Sequence, residues 1–203
     1  MTARAYRDDG PLARAIGRKV GDRVPVDELV LTLVAALPLV AALATASAGY
    51  TVAAAAACVL VAGAGSERGR GHALTWLVPP LLRALEYGFV LALTLRVDAD
   101  AVPLCFAFLT VVALHHYDTV YRLSHARAGP PSWVEAAGGG WDGRILLSSV
   151  LALAGVLDLG LLAGAVGLAL VWAGETAASW ARYGPERLSA GEDAGEGEDA
   201  LVE

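Results

Sequence analysis

The fourth apolar stretch of the chain ends in a run of polar residues whose types could do chemistry, His115-His116-Tyr117-Asp118-Thr119-Val120-Tyr121-Arg122. His115, Asp118 and Arg122 are spaced i, i+3 and i+7, so they share one stripe of a helix. An imidazole and a carboxylate placed in this way could bind a divalent cation, hold a phosphate through a protonated ring, or act as a base and its orienting group. The sequence therefore predicts catalytic roles for His115 and Asp118, and phosphate-binding roles for Tyr121 and Arg122. Tyr121 and Arg122 also suit anchors at the boundary between lipid and water.

A second polar element is the glycine-rich segment 138–144, with the sequence GGGWDGR. Backbone N–H groups of a glycine turn that leads into a helix form a favourable anion site. Gly139, Gly140 and Arg144 are therefore predicted to bind phosphate, although three glycines in a row also suit a flexible hinge. Asp142 is a third catalytic candidate, and its alternative role is that of an N-cap for the helix that follows.

Two ionisable residues, Arg83 and Glu86, interrupt the third apolar stretch. Each such group costs about 2.5–3.5 kcal/mol at the centre of a spanning helix, so it needs a partner or a function. Their i, i+3 spacing places them on one face of a helix. We predict an intramembrane pair, bound to each other or to partners across the bundle, that either neutralises charge or lines a polar cavity. Glu175, near the end of the last apolar stretch, is expected to pair with Arg122 or Arg144.

The elements that position these residues follow from the composition. The 203 residues are 56% hydrophobic and only 18% charged, whereas a soluble domain is about half apolar and a quarter charged. This excess predicts an all-α, polytopic membrane helix bundle. No basic face lies outside the segments that flank apolar runs, so a nucleic-acid partner is not expected. The two cysteines, Cys58 and Cys105, lie inside apolar runs and exclude a disulfide framework.

Hydropathy divides the chain into three parts. Residues 1–28 form a basic N-terminal segment, which is either an amphipathic helix on the inner leaflet or a solvated arm. Residues 29–181 form the bundle, and the acidic tail 182–203 is predicted to be disordered. Six spans are expected in the bundle, each able to cross about 30 Å of hydrocarbon. They are about 29–46, 48–65, 74–95, 101–122, 145–158 and 159–180. The alternative arrangement has four or five spans, with 145–180 as one kinked unit.

The distribution of positive charge predicts the orientation of the bundle. With six spans, 13 of the 15 Lys and Arg residues fall on alternate connecting segments. Such a bias places those segments in the cytoplasm, so both termini should be cytoplasmic in a multi-pass protein of the inner (plasma) membrane. Cleavage of the first span after residues 44–46 is the competing interpretation, but residues 1–28 are too long and too mixed in charge for a usual signal peptide.

The chain resembles an uncharacterised actinobacterial membrane domain, domain of unknown function 5941. The resemblance is carried by Glu86-Tyr87-Gly88, by the run from His115 to Arg122 and by 139–144, and it covers nearly all of the chain before the acidic tail. In that family the domain is often fused to a CDP-alcohol phosphotransferase and a nucleotidyltransferase. The resemblance therefore implies a place in phospholipid or inositol-phosphate headgroup chemistry, without naming a reaction.

The chain does not resemble a CDP-alcohol phosphotransferase itself. Asp142-Gly143 begins a similar phrase, but Leu146-Leu147 replace the Ala-Arg of that family's signature. The later Gly, Asp and Asp of the signature are replaced by Val156, Gly160 and Gly164, so its metal ligands are missing.

Three classes of function remain at this point. The first is a membrane enzyme or binding subunit that handles a phosphorylated lipid precursor at the inner leaflet, with a divalent cation as a conceivable cofactor. The second is a structural partner of a CDP-alcohol phosphotransferase or of another lipid-synthesis enzyme. The third is a small transporter that uses Arg83 and Glu86.

Overall fold

A computed structural model describes residues 6–44, 48–67, 73–125 and 129–199. Every regular element in these four ranges is helical, which confirms the predicted all-α class. Short 3-10 turns precede or connect the longer elements at Gly21–Arg23, Thr75–Leu77 and Ala99–Ala101. The α-helices are α1 (Pro11–Val20), α2 (Glu28–Ala44), α3 (Ala48–Gly63), α4 (Val78–Val97), α5 (Val102–His125), α6 (Ser132–Gly138), α7 (Gly140–Ala154) and α8 (Leu157–Asp199).

Three helical stretches are long and apolar enough to cross a membrane. They are Thr75–Val97, Ala99–His125 and Leu157–Ser179, with 23, 27 and 23 residues. At about 1.5 Å per residue each exceeds the roughly 30 Å of a hydrocarbon core. The apolar helices α2 and α3 are shorter, with 17 and 16 residues. The structure thus has the character of a membrane bundle.

Residues 6–10 form the centre of a polar cluster at one end of the bundle. They contact Glu28 at the start of α2, Ala62 at the end of α3 and Arg83 near the start of α4. The same segment contacts the second half of α5 and the first turn of α7, and α8 joins α5 through Arg122 and Glu175. Successive long helices therefore run in opposite directions, and we call the end that holds this cluster the polar end.

Gly155 separates α7 from α8. Its φ of +71° is left-handed, a conformation that glycine adopts without strain. The N–H of Gly155 donates to the Ala152 carbonyl and the N–H of Val156 donates to the Leu151 carbonyl, the two bonds of a Schellman helix end. Residues 145–180 are therefore two helices rather than one kinked helix. The second of them, α8, continues through 182–199, and the disorder of the acidic tail stays a prediction.

The described part of the N-terminal segment packs into the bundle, which differs from a solvated arm. Arg7 is only 2% exposed and Ala13 is fully buried. Helix α1 packs on α3 and α7, and the Ser66 hydroxyl donates to the Ala13 carbonyl over 2.8 Å. Because the charges of residues 7–9 find partners inside the bundle, the segment does not need water to solvate them. A contact of α1 with the inner leaflet stays a prediction.

Candidate functional site

Asp8 lies at the centre of the polar cluster. Its Oδ2 accepts hydrogen bonds from Arg144 Nη2 over 2.6 Å and from His116 Nε2 over 2.8 Å. The other ring nitrogen of His116 lies 2.6 Å from the Tyr87 hydroxyl. Burial alone would raise the pKa of Asp8, but the Arg144 guanidinium and His116 outweigh burial and hold this pKa well below its usual range. The carboxylate is therefore ionised at neutral pH.

Glu86 is paired across the bundle with Arg144. The Arg144 guanidinium binds both carboxylate oxygens of Glu86 in a fork, and its Nη1 also donates to the Gly138 carbonyl over 2.9 Å. The sequence allowed Arg83 and Glu86 to pair with each other or across the bundle, and the structure gives each of them a partner from another segment. Arg83 instead donates from Nη2 to the Tyr6 carbonyl over 2.9 Å. A guanidinium from another helix can present its fork to both oxygens of one carboxylate, which makes it the stronger partner.

Arg7 and Asp9 form a second buried pair beside the first. Arg7 Nε donates to Asp9 over 2.8 Å, and the Trp141 indole N–H donates to the other oxygen of Asp9 over 2.8 Å. The Arg7 guanidinium also reaches Glu28 at 3.5 Å and the Ala62 carbonyl at 3.3 Å. This pair fixes the chain on both sides of Asp8.

Asp142 caps a helix, but not the helix that the sequence indicated. Its carboxylate accepts from the backbone N–H of Gly10 over 2.6 Å and of Ala13 over 3.0 Å. These are the N-cap and third residues of α1, so Asp142 on α7 serves as the N-cap side chain for a helix about 130 residues earlier. Asp142 is fully buried in this structural role, and its catalytic role stays a prediction.

The glycine turn holds the protein's own N-terminal segment. Gly139 and Gly140 both have left-handed φ values, +69° and +67°. A Cβ on Gly10 or on Gly140 would overlap the backbone of the other segment, so the two chains meet only because both residues lack a side chain. The N–H of Trp141, which follows Gly140, donates to the Asp8 carbonyl over 3.2 Å. Residues 8–10 therefore occupy the place where the sequence predicted a phosphate.

Arg122 joins α5 to α8, away from Asp8. Its guanidinium pairs with Asp118 at 2.7 Å and with Glu175 at 2.9 Å, and it also reaches Thr176 and Ser179. Pairing of Glu175 with Arg122, one of its two expected partners, is confirmed. Tyr121 is 44% exposed and stacks on His125. The ion pairs of Arg122 are thus with α5 and α8, whereas those of Arg144 are with Asp8 and Glu86.

A cavity of about 460 Å³ opens beside Asp8 at the polar end. His115 and Arg83 are the two predicted site residues on its wall. The His115 ring stacks on Trp172 of α8 with centroids 4.0 Å apart and planes 9° apart. The wall is formed by Tyr6, Asp8, Asp9, Arg14, Arg18, Ser66, Glu67, Arg83, His115, Thr119, Pro130 and Glu135.

Two buried polar atoms of this wall lack a partner within the described part of the chain, and both can donate a hydrogen bond. Arg83 Nε and Thr119 Oγ1 are buried and have no hydrogen-bond partner among the described residues. The four acidic residues of the wall already have partners. Asp8 and Asp9 bind the groups described above, Glu135 pairs with Arg14 at 2.7 Å, and Glu67 also has a polar or electrostatic contact. A ligand rich in acceptor oxygens would complement such a wall.

Sequence reasoning missed the tetrapeptide Arg7-Asp8-Asp9-Gly10 and the role of His116. A charged tetrapeptide directly before Pro11 resembles a solvated helix start, and only its partners across the bundle distinguish it from one. No group of three or more His, Cys, Asp or Glu residues suited to a metal ion occurs within the described ranges. The divalent cation therefore stays a prediction.

The buried charges thus lie at one end of a helical bundle in which three helices are long and apolar enough to cross a membrane. The chain belongs to a family of unknown function, DUF5941, whose sequence profile matches residues 2–198. No curated protein and no solved structure matches the chain.

Proposed function

We propose that this chain is a multi-pass plasma-membrane protein that binds the headgroup of a phosphorylated lipid precursor in the cavity beside Asp8. The observation that carries the proposal is the pair of unpartnered donors, Arg83 Nε and Thr119 Oγ1, on a wall whose carboxylates are already engaged. Arginine and hydroxyl donors complement phosphate oxygens, and a guanidinium binds them in a fork. The cavity volume of about 460 Å³ lies within the range of small-ligand sites, about 300–1,000 Å³.

If the protein also catalyses a reaction of the bound headgroup, His115 is the residue that would transfer the proton. Its imidazole lies on the same wall as Arg83 and is held flat against Trp172, so the ring has a fixed orientation. A fixed imidazole can accept a proton from a headgroup hydroxyl and return it later. Arg122, Tyr121 and Asp118 have no part in this version of the site.

The alternating helices support a six-span arrangement with the polar end in the cytoplasm. All connecting segments that are rich in Lys and Arg adjoin the polar end, as the orientation rule requires of cytoplasmic segments. Large aromatic side chains are also exposed there, with Trp76 at 65%, Trp133 at 56% and Tyr117 at 70%. Exposed aromatic residues at such a level suit the boundary between lipid and water. In this arrangement the cavity faces headgroups made in the cytoplasmic leaflet.

The proposal is tested by melting the purified protein in detergent with inositol phosphate or CDP-diacylglycerol. A ligand at about 100 times its dissociation constant should stabilise the wild type by roughly 2.7 kcal/mol. Arg83→Gln should weaken binding by about 10- to 100-fold, because it removes a hydrogen bond to a charged group. Thr119→Val, which keeps the shape but removes the hydroxyl, should weaken it less.

Arg96→Gln is the matched control, since Arg96 is exposed in the last turn of the same helix, at the opposite end from the cavity. It should leave the stabilisation unchanged. If no phosphorylated precursor stabilises the wild type, or if both arginine variants respond alike, the cavity is not a headgroup site.

A second candidate is a structural partner of a CDP-alcohol phosphotransferase, and one observation favours it. Asp118, Arg122, Asp142 and Arg144 all have their charges satisfied inside the bundle, as expected of a scaffold. A scaffold should copurify with a co-expressed phosphotransferase, and Arg83→Gln should leave that complex intact. Failure to copurify, together with ligand stabilisation that depends on Arg83, would exclude the scaffold role and support headgroup binding.

A further inference from the structure

Two donors of different helices converge on one oxygen of Asp8. Arg144 Nη2 comes from α7 at 2.6 Å and His116 Nε2 from α5 at 2.8 Å. An ionised carboxylate only accepts hydrogen bonds, so Nε2 of His116 carries the proton of this contact. Convergence of a guanidinium and an imidazole N–H on a single point is the geometry that holds one oxygen of an anion.

Asp8 reaches this point from a strained backbone. Its φ of +55° makes it the one non-glycine residue with positive φ in the described part of the chain. A non-glycine residue keeps this conformation only where the surrounding contacts hold it there. The neighbours supply those contacts, since Asp9 is bound by Arg7 and Trp141, and Gly10 is wedged against the glycine turn. The backbone is thus fixed in a conformation that directs a carboxylate at Arg144 and His116.

The Asp8 side chain also forms part of the cavity wall. It is 14% exposed, against 6% for the Asp9 side chain. Rotation about its side-chain bonds would move the carboxylate into the cavity without moving the backbone. Arg144 would then still be paired with Glu86, while one Nη2 donor and the His116 N–H would be open to the cavity.

We propose that Arg144 and His116 form an anion subsite at the base of the cavity, which Asp8 fills in this structure and which a phosphate group of the ligand takes by displacing the Asp8 carboxylate. The inference rests on the proposed headgroup site and names its phosphate-binding residues. Asp8 then acts as an internal competitor that keeps Arg144 and His116 paired until a phosphate arrives. Binding of phosphate should be weak in the wild type and stronger once Asp8 is removed.

The test uses the full chain in detergent with inorganic phosphate as the probe, at constant ionic strength maintained with chloride. Asp8→Ala should lower the melting temperature in chloride, and millimolar phosphate should recover most of the loss. The apparent affinity of the Asp8→Ala variant for phosphate should exceed that of the wild type by about 10-fold or more, because the competing carboxylate is gone. Glu175→Ala is the matched control, since Glu175 is a buried carboxylate paired with Arg122 away from the cavity. Phosphate should not restore the melting temperature of the Glu175→Ala variant.

If Asp8→Ala does not fold, Asp8→Asn keeps the side-chain shape, and broadening of the phosphorus NMR signal then reports the same change in affinity. Equal phosphate affinity in the wild type and the Asp8 variant overturns the inference, and so does equal recovery of Glu175→Ala. These results are separable from the headgroup test. Stabilisation of the wild type by a lipid precursor that depends on Arg83, without any effect of Asp8, would keep the cavity and remove this subsite.

Discussion

At the scale of single residues, the polar end shows how charges are kept inside an apolar bundle. Arg144 and Glu86 are 4% and 0% exposed, and each charge is met by a fork of hydrogen bonds. Breaking a buried pair by removing one partner costs about 3–5 kcal/mol, since the other charge is left in a low dielectric. Arg144 also pairs with Asp8, so removal of Glu86 alone does not leave the Arg144 charge without a partner.

A double-mutant cycle tests the partner of Glu86. Glu86→Leu should reduce the free energy of unfolding in detergent, by less than the roughly 3–5 kcal/mol of a fully unpaired buried charge, because Arg144 keeps Asp8 as a partner. This loss should be smaller in an Arg144→Leu background than in the wild type, and unchanged in an Arg83→Leu background. A smaller loss beside Arg83→Leu instead of Arg144→Leu would mean that the two neighbours on α4 form the pair.

At the scale of elements, the sequence predicts which segments are helices but not which charges meet. Hydropathy located the apolar helices, and Gly155 ends α7 in a left-handed conformation that a glycine there can adopt. The i, i+3 spacing left open whether Glu86 pairs with Arg83 or across the bundle, and the observed partner, Arg144, is 58 residues away. Contacts between distant helices leave no local pattern in a sequence. For the same reason, residues 7–10 resembled a solvated arm and Asp142 resembled a cap of its own helix.

The glycine turn between α6 and α7 offers a matched pair of substitutions. Gly140→Ala should lower the free energy of unfolding by more than about 1 kcal/mol, because it forces a Cβ into a left-handed conformation and against Gly10. Gly143 lies three residues later within α7, and a Cβ added there by Gly143→Ala would have no neighbouring atom within 4 Å. It should be neutral or stabilise the protein by up to about 1 kcal/mol, since alanine is the better helix former. Thermal unfolding of both variants checks this, and equal destabilisation would mean that the turn is not formed as described.

At the scale of the whole molecule, a headgroup site for lipids of the cytoplasmic leaflet requires the polar end to face the cytoplasm. Ala99 and Ala137 are both exposed alanines, at opposite ends of the bundle. Both native cysteines are fully buried and can remain in place. In intact cells, Ala99→Cys should react with an impermeant thiol reagent, and Ala137→Cys should react only after permeabilisation. The reverse pattern would put the cavity outside the cell.

The most direct measurement of the central proposal is native mass spectrometry of the protein released from its own membranes. The wild type and Arg96→Gln should retain a bound phosphorylated lipid precursor, identified by its mass and its phosphate fragment. Arg83→Gln should lose it while keeping its helical content, because Arg83 supplies an unpartnered donor of the cavity wall. Retention of the same lipids by all three proteins, or of none by any, would contradict a headgroup site in this cavity.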